Sequence, residues 1–269
     1  MLKYEKIILL SDMDGTMLDS NSEISPMNQQ AIIDFTSQGG LFGVATGRSP
    51  LNARPYLYDI VINMPCIFYN GCALYDFTGE KFLELYKLPR EKLIGYLRSC
   101  LTEFENVVIQ VYSKEANHII SSEISIDEDT VLNHQPYEIC QLDDITDKEW
   151  IKILYSGKRE DLLALASKMK DYNLQDEINW VFSSDKYLEF LPPQATKGSM
   201  LSRVREIIGS DYKIYAVGDY DNDKEMLEEA DVGIATANAL PGVKASADEI
   251  TVSNDESAIA DIIYNIIKK

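Results

Sequence analysis

Asp12 and Asp14 stand one residue apart at the end of a short apolar run, just before Gly15 and Thr16. Two close carboxylates repel, and such a pair is tolerable where a cation, a shared proton or a phosphoryl-transfer role compensates. An acidic turn is the other reading, since Asp and Gly both favour turns. Three more polar clusters follow: Thr46-Gly47-Arg48 after a second apolar run, Thr196-Lys197-Gly198 at a helix start, and Gly218-Asp219-Tyr220-Asp221-Asn222-Asp223 after a third run. Taken singly, these read as a turn, a solvated helix start and a helix cap. Among their residues, the acids Asp12, Asp14, Asp219 and Asp223, the Thr46 hydroxyl and Lys197 would be collected together.

Such a gathering needs a scaffold. Residues 7–10 read as a buried strand, whose alternation would send Asp12 and Asp14 to the same side at its C-terminal end. Ser25-Pro26 is an N-cap and N1 pair opening a helix through Ala31, Ile32, Ile33 and Phe35, which Gly39 and Gly40 stop. Residues 41–48 and 65–71 read as strands ending in polar residues, and 73–76 with 81–86 as a hairpin. The middle differs: helices at 89–104 and 160–169, strands at 107–112, 118–121, 150–155, 179–182 and 187–191, and an acidic, aperiodic stretch at 123–147. From Lys197 the alternation returns, with helices at 197–208, 222–229 and 256–267 and strands at 213–217, 232–235 and 249–252. The expected fold is α/β: a doubly wound, Rossmann-like parallel sheet core from residues 1–86 and 191–269, with an inserted α+β domain at 87–190. Right-handed crossovers put every parallel strand's C-terminal end on one edge, where ligands bind in open α/β sheets.

The 269 residues are 45% hydrophobic and 26% charged, a globular composition with ample core. No apolar run is long enough to cross a bilayer, and aspartate interrupts the N-terminus before a signal-peptide apolar region develops. Cys66, Cys72, Cys100 and Cys140 lack a CxxC spacing and only two histidines are present, which argues against zinc. Reduced thiols in a cytoplasmic protein are the simplest account. A formal charge of −19 argues against nonspecific nucleic-acid or anionic-membrane partners. An anionic substrate would meet a repelling field, so a metal ion or placed Lys and Arg must reverse the sign locally. No feature of the sequence sets an oligomeric state.

Together the four clusters resemble the motifs of the haloacid dehalogenase (HAD) superfamily, and within it the Cof-type phosphatases, whose α/β (C2-type) cap is inserted after the third core strand. The first motif, DxDGT, is intact, with Met13 where Leu is more usual. The second is Val44-Ala45-Thr46-Gly47-Arg48, the third Lys197 in Thr-Lys-Gly, and the fourth Gly218-Asp219-x-x-Asn222-Asp223 followed by Met226-Leu227. Asn70-Gly71-Cys72 is similar to the family's Asn-Gly-Ala turn. The resemblance covers the core throughout; the insertion matches in placement and element order.

The resemblance implies a Mg²⁺-dependent phosphatase acting on phosphate monoesters of small metabolites, such as sugar phosphates, nucleotides or pyridoxal phosphate. On that pattern Asp12 attacks phosphorus to give an aspartyl-phosphate. Asp14 protonates the departing alcohol and then takes a proton from water. The Thr46 hydroxyl and Lys197 hold the phosphoryl oxygens, with Gly47, Arg48 and Asn222 beside them. Asp12, the Asp14 main-chain carbonyl and Asp219 bind Mg²⁺, and Asp223 completes or orients the shell, an oxygen donor set suited to that ion. Four ionised carboxylates, one lysine and Mg²⁺ leave a charge of −1. A proton on Asp14 would bring it to zero, and carboxylate repulsion pushes that way; an inward Arg48 would add positive charge. Cap closure would exclude water and complete the pocket. Tyr112, His118, His134, Tyr155 and Tyr187 are candidate cap contacts, although strand aromatics are more often core.

A phosphomutase of the same superfamily is the nearest rival. A phosphoacceptor module like the response-regulator receivers groups similar residues in about half the length and without an insertion. A ligand-binding module that keeps the fold is the third reading, and every catalytic position being filled speaks against it.

Overall fold

In the computed structural model, which describes residues 2–121 and 137–267, the chain forms two compact units. One is built from both ends of the chain, up to Glu84 and from Thr196; the other is Leu85–Ala195. The first holds a five-stranded parallel sheet in the order Glu249–Ile250, Val232–Ala235, Lys213–Gly218, Ile7–Ser11, Leu41–Val44. Parallel strands are covered on both faces and so need continuous apolar runs: Ile8, Leu9, Leu10, Ile214, Ala216 and Val217 are wholly buried. A parallel bridge from Ala45 to Ile67 carries the pairing to the Cys66–Phe68 strand, which forms a three-stranded sheet with Ala73–Asp76 and Lys81–Leu85. The Pro26–Ser37 helix is capped as its sequence requires, Ser25 Oγ accepting from the Asn28 N–H at 3.1 Å.

Two helices start later than their patterns suggest. Asp221–Asp223 is a tight turn and the helix proper is Lys224–Glu229. The Asp223 carboxylate folds back to accept the Asp219 and Tyr220 N–H groups at 2.9 and 3.1 Å, which fixes the turn. At the C-terminus, Glu256 caps the Ser253 N–H and Ser257 is left-handed at φ 65°. Regular helix therefore begins only at Ala258, runs to Asp261, and widens over Ile262–Ile266.

The Leu85–Ala195 unit is a six-stranded sheet in the order Asn179–Ser184, Tyr187–Leu191, Lys152–Ser156, Val108–Tyr112, Asn117–Ile119, Tyr137–Ile139. Pairing is antiparallel except between the last two strands. The helices Arg90–Glu103 and Arg159–Lys168 join it through Tyr96, whose ring stacks on Phe190 at 5.7 Å while its hydroxyl donates to the Leu165 carbonyl. Within the stretch expected to be aperiodic, residues 137–139 form an edge strand too short to show a period, and Leu142–Ile145 a short turn. Among the candidate contacts, Tyr112, His118 and Tyr155 are buried, and Tyr155 packs 4.8 Å from Phe190. Tyr187 is half-buried, and His134 lies outside the described residues. Among the described residues, no helix is long and apolar enough to cross a membrane.

Candidate active site

Asp12 leaves the C-terminal edge of the first strand from a fixed point, because its N–H still bonds the Val217 carbonyl at 2.9 Å. The strand ends at Ser11, so strand alternation does not govern Asp14. Met13–Met17 form a wide turn in which Gly15 is left-handed at φ 77°. A Cβ on Gly15 would stand 2.5 Å from Asp219 Oδ2, so glycine alone lets this turn approach that carboxylate. Thr16 Oγ1 donates to Asp219 Oδ1 at 3.0 Å. On the other side Asn238 Nδ2 donates to the Gly15 carbonyl at 2.8 Å, Asn238 itself accepts from the Asn254 N–H, and Asn254 Nδ2 reaches the Leu18 carbonyl. The turn is clamped at both ends.

Lys197 opens the Lys197–Ile208 helix behind the N-cap Thr196, and its ammonium is wholly buried. It donates to Asp12 Oδ1 at 2.7 Å and to Asp223 Oδ1 at 2.6 Å. Burial opposes its charge, but Asp12 and Asp223 outweigh burial and hold the ammonium above its ordinary range. Burial pushes the Asp12 carboxyl well up; Lys197 pulls it back, and the charges of Asp223, Asp219 and Asp14 push it further up. Asp219 is pushed up to about 7, by burial first and then by Asp223, with Thr16 and Lys197 acting the other way.

Asp14 pairs with an arginine. Its carboxylate is half-exposed and turned to Arg48, which donates from Nε to Oδ2 at 2.8 Å and from Nη2 to Oδ1 at 2.6 Å. Arg48 thus points inward and brings a positive charge to the site. Burial and carboxylate repulsion act on Asp12 and Asp219. Burial opposes the Arg48 charge, yet the Asp14 contacts raise it above its ordinary range.

Thr46 is buried at the end of the neighbouring strand, with its Oγ1 accepting from the Arg48 N–H at 3.1 Å. Gly47 packs on Asn70, where a Cβ would stand 3.0 Å from Asn70 Nδ2. Asn222 Nδ2 donates to Asn70 Oδ1 at 2.9 Å, while Asn222 Oδ1 and Asn70 Nδ2 are buried with no hydrogen-bond partner among the described residues. The four clusters therefore meet on one sheet edge. Thr16, Asn70, Asn238 and Asn254 join them as supports. Sequence reasoning quotes Thr16 and Asn70 only as motif and turn residues, and it misses Asn238 and Asn254, whose only signal is polarity in loops after short strands.

Asp12, Asp219 and Asp223 each offer an oxygen within 4.8 Å of the others. Three carboxylates against one ammonium leave a local charge of −2 if all are ionised. A hard divalent cation fits both that deficit and an all-oxygen donor set. The side chain of Asp14 is outside this group.

The sequence over residues 9–263 matches the family model of the haloacid dehalogenase-like hydrolases. A Bacillus subtilis protein, 5-amino-6-(5-phospho-D-ribitylamino)uracil phosphatase, is 26% identical over 95% of this chain and 96% of its own length. An Arabidopsis thaliana protein named as a chloroplastic endoribonuclease is 29% identical over 95% of this chain; the chain spans only 46% of its length. Among solved structures, a haloacid dehalogenase-like hydrolase from Bacteroides thetaiotaomicron superposes with a TM-score of 0.82 at 28% identity, covering 98% of this chain and all of that one. Sequence, fold and the meeting of the motifs at one sheet edge agree, and the chain belongs to the haloacid dehalogenase-like hydrolase family.

Proposed function

We propose that the chain is a Mg²⁺-dependent phosphatase that hydrolyses phosphate monoesters of small metabolites through an aspartyl-phosphate on Asp12. Hydrolysis of phosphoric monoesters goes with the family; the metal, the covalent intermediate and the substrate range are the proposal. One observation carries it: a buried lysine that bonds two carboxylates, Asp12 and Asp223, with Asp219 alongside. An oriented carboxylate nucleophile with fixed positive charge beside it is what phosphoryl transfer requires.

Asp12 attacks phosphorus as the ester P–O bond breaks, and the leaving oxygen takes its proton from Asp14. Water then attacks the aspartyl-phosphate, gives a proton to Asp14, and phosphate departs with Asp12 restored. Lys197 and Thr46 hold the phosphoryl oxygens, with Gly47, Arg48 and Asn222 lining their surroundings. Asp12, Asp219, Asp223 and the Asp14 main-chain carbonyl would hold Mg²⁺, whose charge offsets that of the phosphoryl group when bound. The inserted unit selects among substrates, which are small phosphorylated metabolites as in the Bacillus subtilis relative's name.

The test is phosphate release from an aryl phosphate and from a panel of phosphorylated metabolites, with Mg²⁺ and with EDTA. Free phosphate in Mg²⁺ and none in EDTA is expected. Activity indifferent to EDTA would remove the metal, and an isomerised phosphosugar without free phosphate would replace hydrolase by mutase.

A further inference from the structure

We propose that Asn70 is a further binding residue for the phosphoryl group, donating its Nδ2 to one of the phosphoryl oxygens, and that Asn222 is the positioning residue that turns it there. The inference rests on the reading that Lys197 and Thr46 hold that group. The turn at residues 69–71 is wedged among three of the four motifs. The Tyr69 N–H donates to the Arg48 carbonyl at 3.0 Å, and the Asn70 N–H to the Thr46 carbonyl at 3.1 Å. On the other side a Cβ on Gly71 would stand 2.0 Å from the Thr196 carbonyl oxygen, so the turn is pressed against the start of the Lys197 helix. The Asn70 amide lies against Gly47 and accepts from Asn222. Asn70 sits as deep as the two residues that would hold the phosphoryl group: Asn70, Thr46 and Lys197 are each 1% exposed.

The backbone is bent to place this amide. Tyr69, Asn70 and Gly71 are all left-handed, at φ 52°, 54° and 96°, a conformation that strains most residues with a Cβ and that Asn tolerates better than most. The hydrogen bonds then divide the roles. Asn222 Nδ2 is engaged with Asn70 Oδ1 at 2.9 Å, which fixes the acceptor end of the Asn70 amide. The donor end, Asn70 Nδ2, is buried with no partner among the described residues. A buried donor without an acceptor is unfavourable, and the oxygens of a phosphoryl dianion are acceptors only. Asn70 Nδ2 matches them. The Asn222 atom left over, Oδ1, is an acceptor and does not. The motif pattern gives the amide contact to Asn222; the hydrogen bonds transfer it to Asn70.

The experiment measures the inhibition constant of inorganic phosphate against hydrolysis of an aryl phosphate in Mg²⁺, for the wild-type protein, Asn70→Gly, Asn222→Ala and the double variant. Glycine keeps the left-handed turn and removes the amide. Asn70→Gly should weaken phosphate inhibition at least about tenfold, the scale of losing one hydrogen bond to a charged group. Asn222→Ala should weaken it only about threefold, the scale of a hydrogen bond between neutral groups. Because Asn222 acts through Asn70, the double variant should be no weaker than Asn70→Gly. A residue that merely supports the turn would lower kcat or the melting temperature and leave phosphate inhibition as it was. Unchanged inhibition in Asn70→Gly, a larger loss in Asn222→Ala than in Asn70→Gly, or losses that multiply in the double variant would each overturn the proposal alone. If the wild-type protein releases no phosphate from the aryl ester, or phosphate does not inhibit it, the reading of the site fails and takes the proposal with it. Should Asn70→Gly fail to fold by its melting curve, Asn70→Asp decides the question. It keeps an oxygen for Asn222 and removes the donor, so phosphate inhibition should weaken at least about tenfold, and inhibition equal to the wild type would overturn the proposal.

Discussion

Lys197 is wholly buried, and its ammonium is stabilised by Asp12 and Asp223. Removing one partner of a buried ion pair leaves an uncompensated charge, at a cost of about 3–5 kcal/mol. Lys197→Met should therefore lower the melting temperature by several degrees and reduce turnover at least about a hundredfold, on the scale of losing one stabiliser of transition-state charge; a thermal melt and a phosphate-release assay check both. Asp219 gives a pH signature. Its carboxyl, raised from 3.8 to about 7, binds a proton more tightly folded than unfolded. Without metal, this group makes the protein lose stability as pH rises from about 4 through 7. In EDTA the melting temperature should fall across that window, Asp219→Asn should flatten the fall, and Mg²⁺ should reverse it; equal slopes for the two proteins would contradict the assignment. At this scale the motif residues were legible because their types and spacing are unusual together. The Asp14–Arg48 pair was not, because a side-chain rotamer beyond a strand end leaves no trace in periodicity.

The turn after the first strand shows what an element contributes. Gly15 meets two demands: a positive φ, which strains any side chain, and a close approach to Asp219, which leaves no room for one. Gly15→Ala should destabilise the protein by about 1–3 kcal/mol through backbone strain, and should cost activity beyond what that explains, because the displaced group is Asp219. Melting curves and kcat for the two proteins measure each part, and unchanged kcat would contradict the close approach. The parallel strands were readable from their continuous apolar runs, and Ser25-Pro26 marked its helix start correctly. The Asp221–Asp223 turn and the late start at Ala258 were hidden, since Asp223 and Glu256 bond backwards to main-chain N–H groups and so interrupt a helical pattern that their residue types permit.

Across the whole molecule, the strong negative charge and the site's need for an anion are reconciled locally. Arg48 pairs with Asp14, Lys197 offsets one of the three clustered carboxylates, and the remaining deficit matches a divalent cation. The order of elements showed that the two ends of the chain build one sheet and that a second unit interrupts them, because βα alternation stops and resumes. The edge strand Tyr137–Ile139 was beyond reach, being only three residues long. All of this converges on the claim that Asp12 carries the phosphoryl group. The most direct measurement is a rapid acid quench during turnover followed by mass spectrometry of the peptide bearing Asp12. The account predicts a phosphoryl adduct on Asp12, absent without Mg²⁺ and in Asp12→Asn; turnover with no adduct at any quench time, sustained by Asp12→Asn, would contradict it.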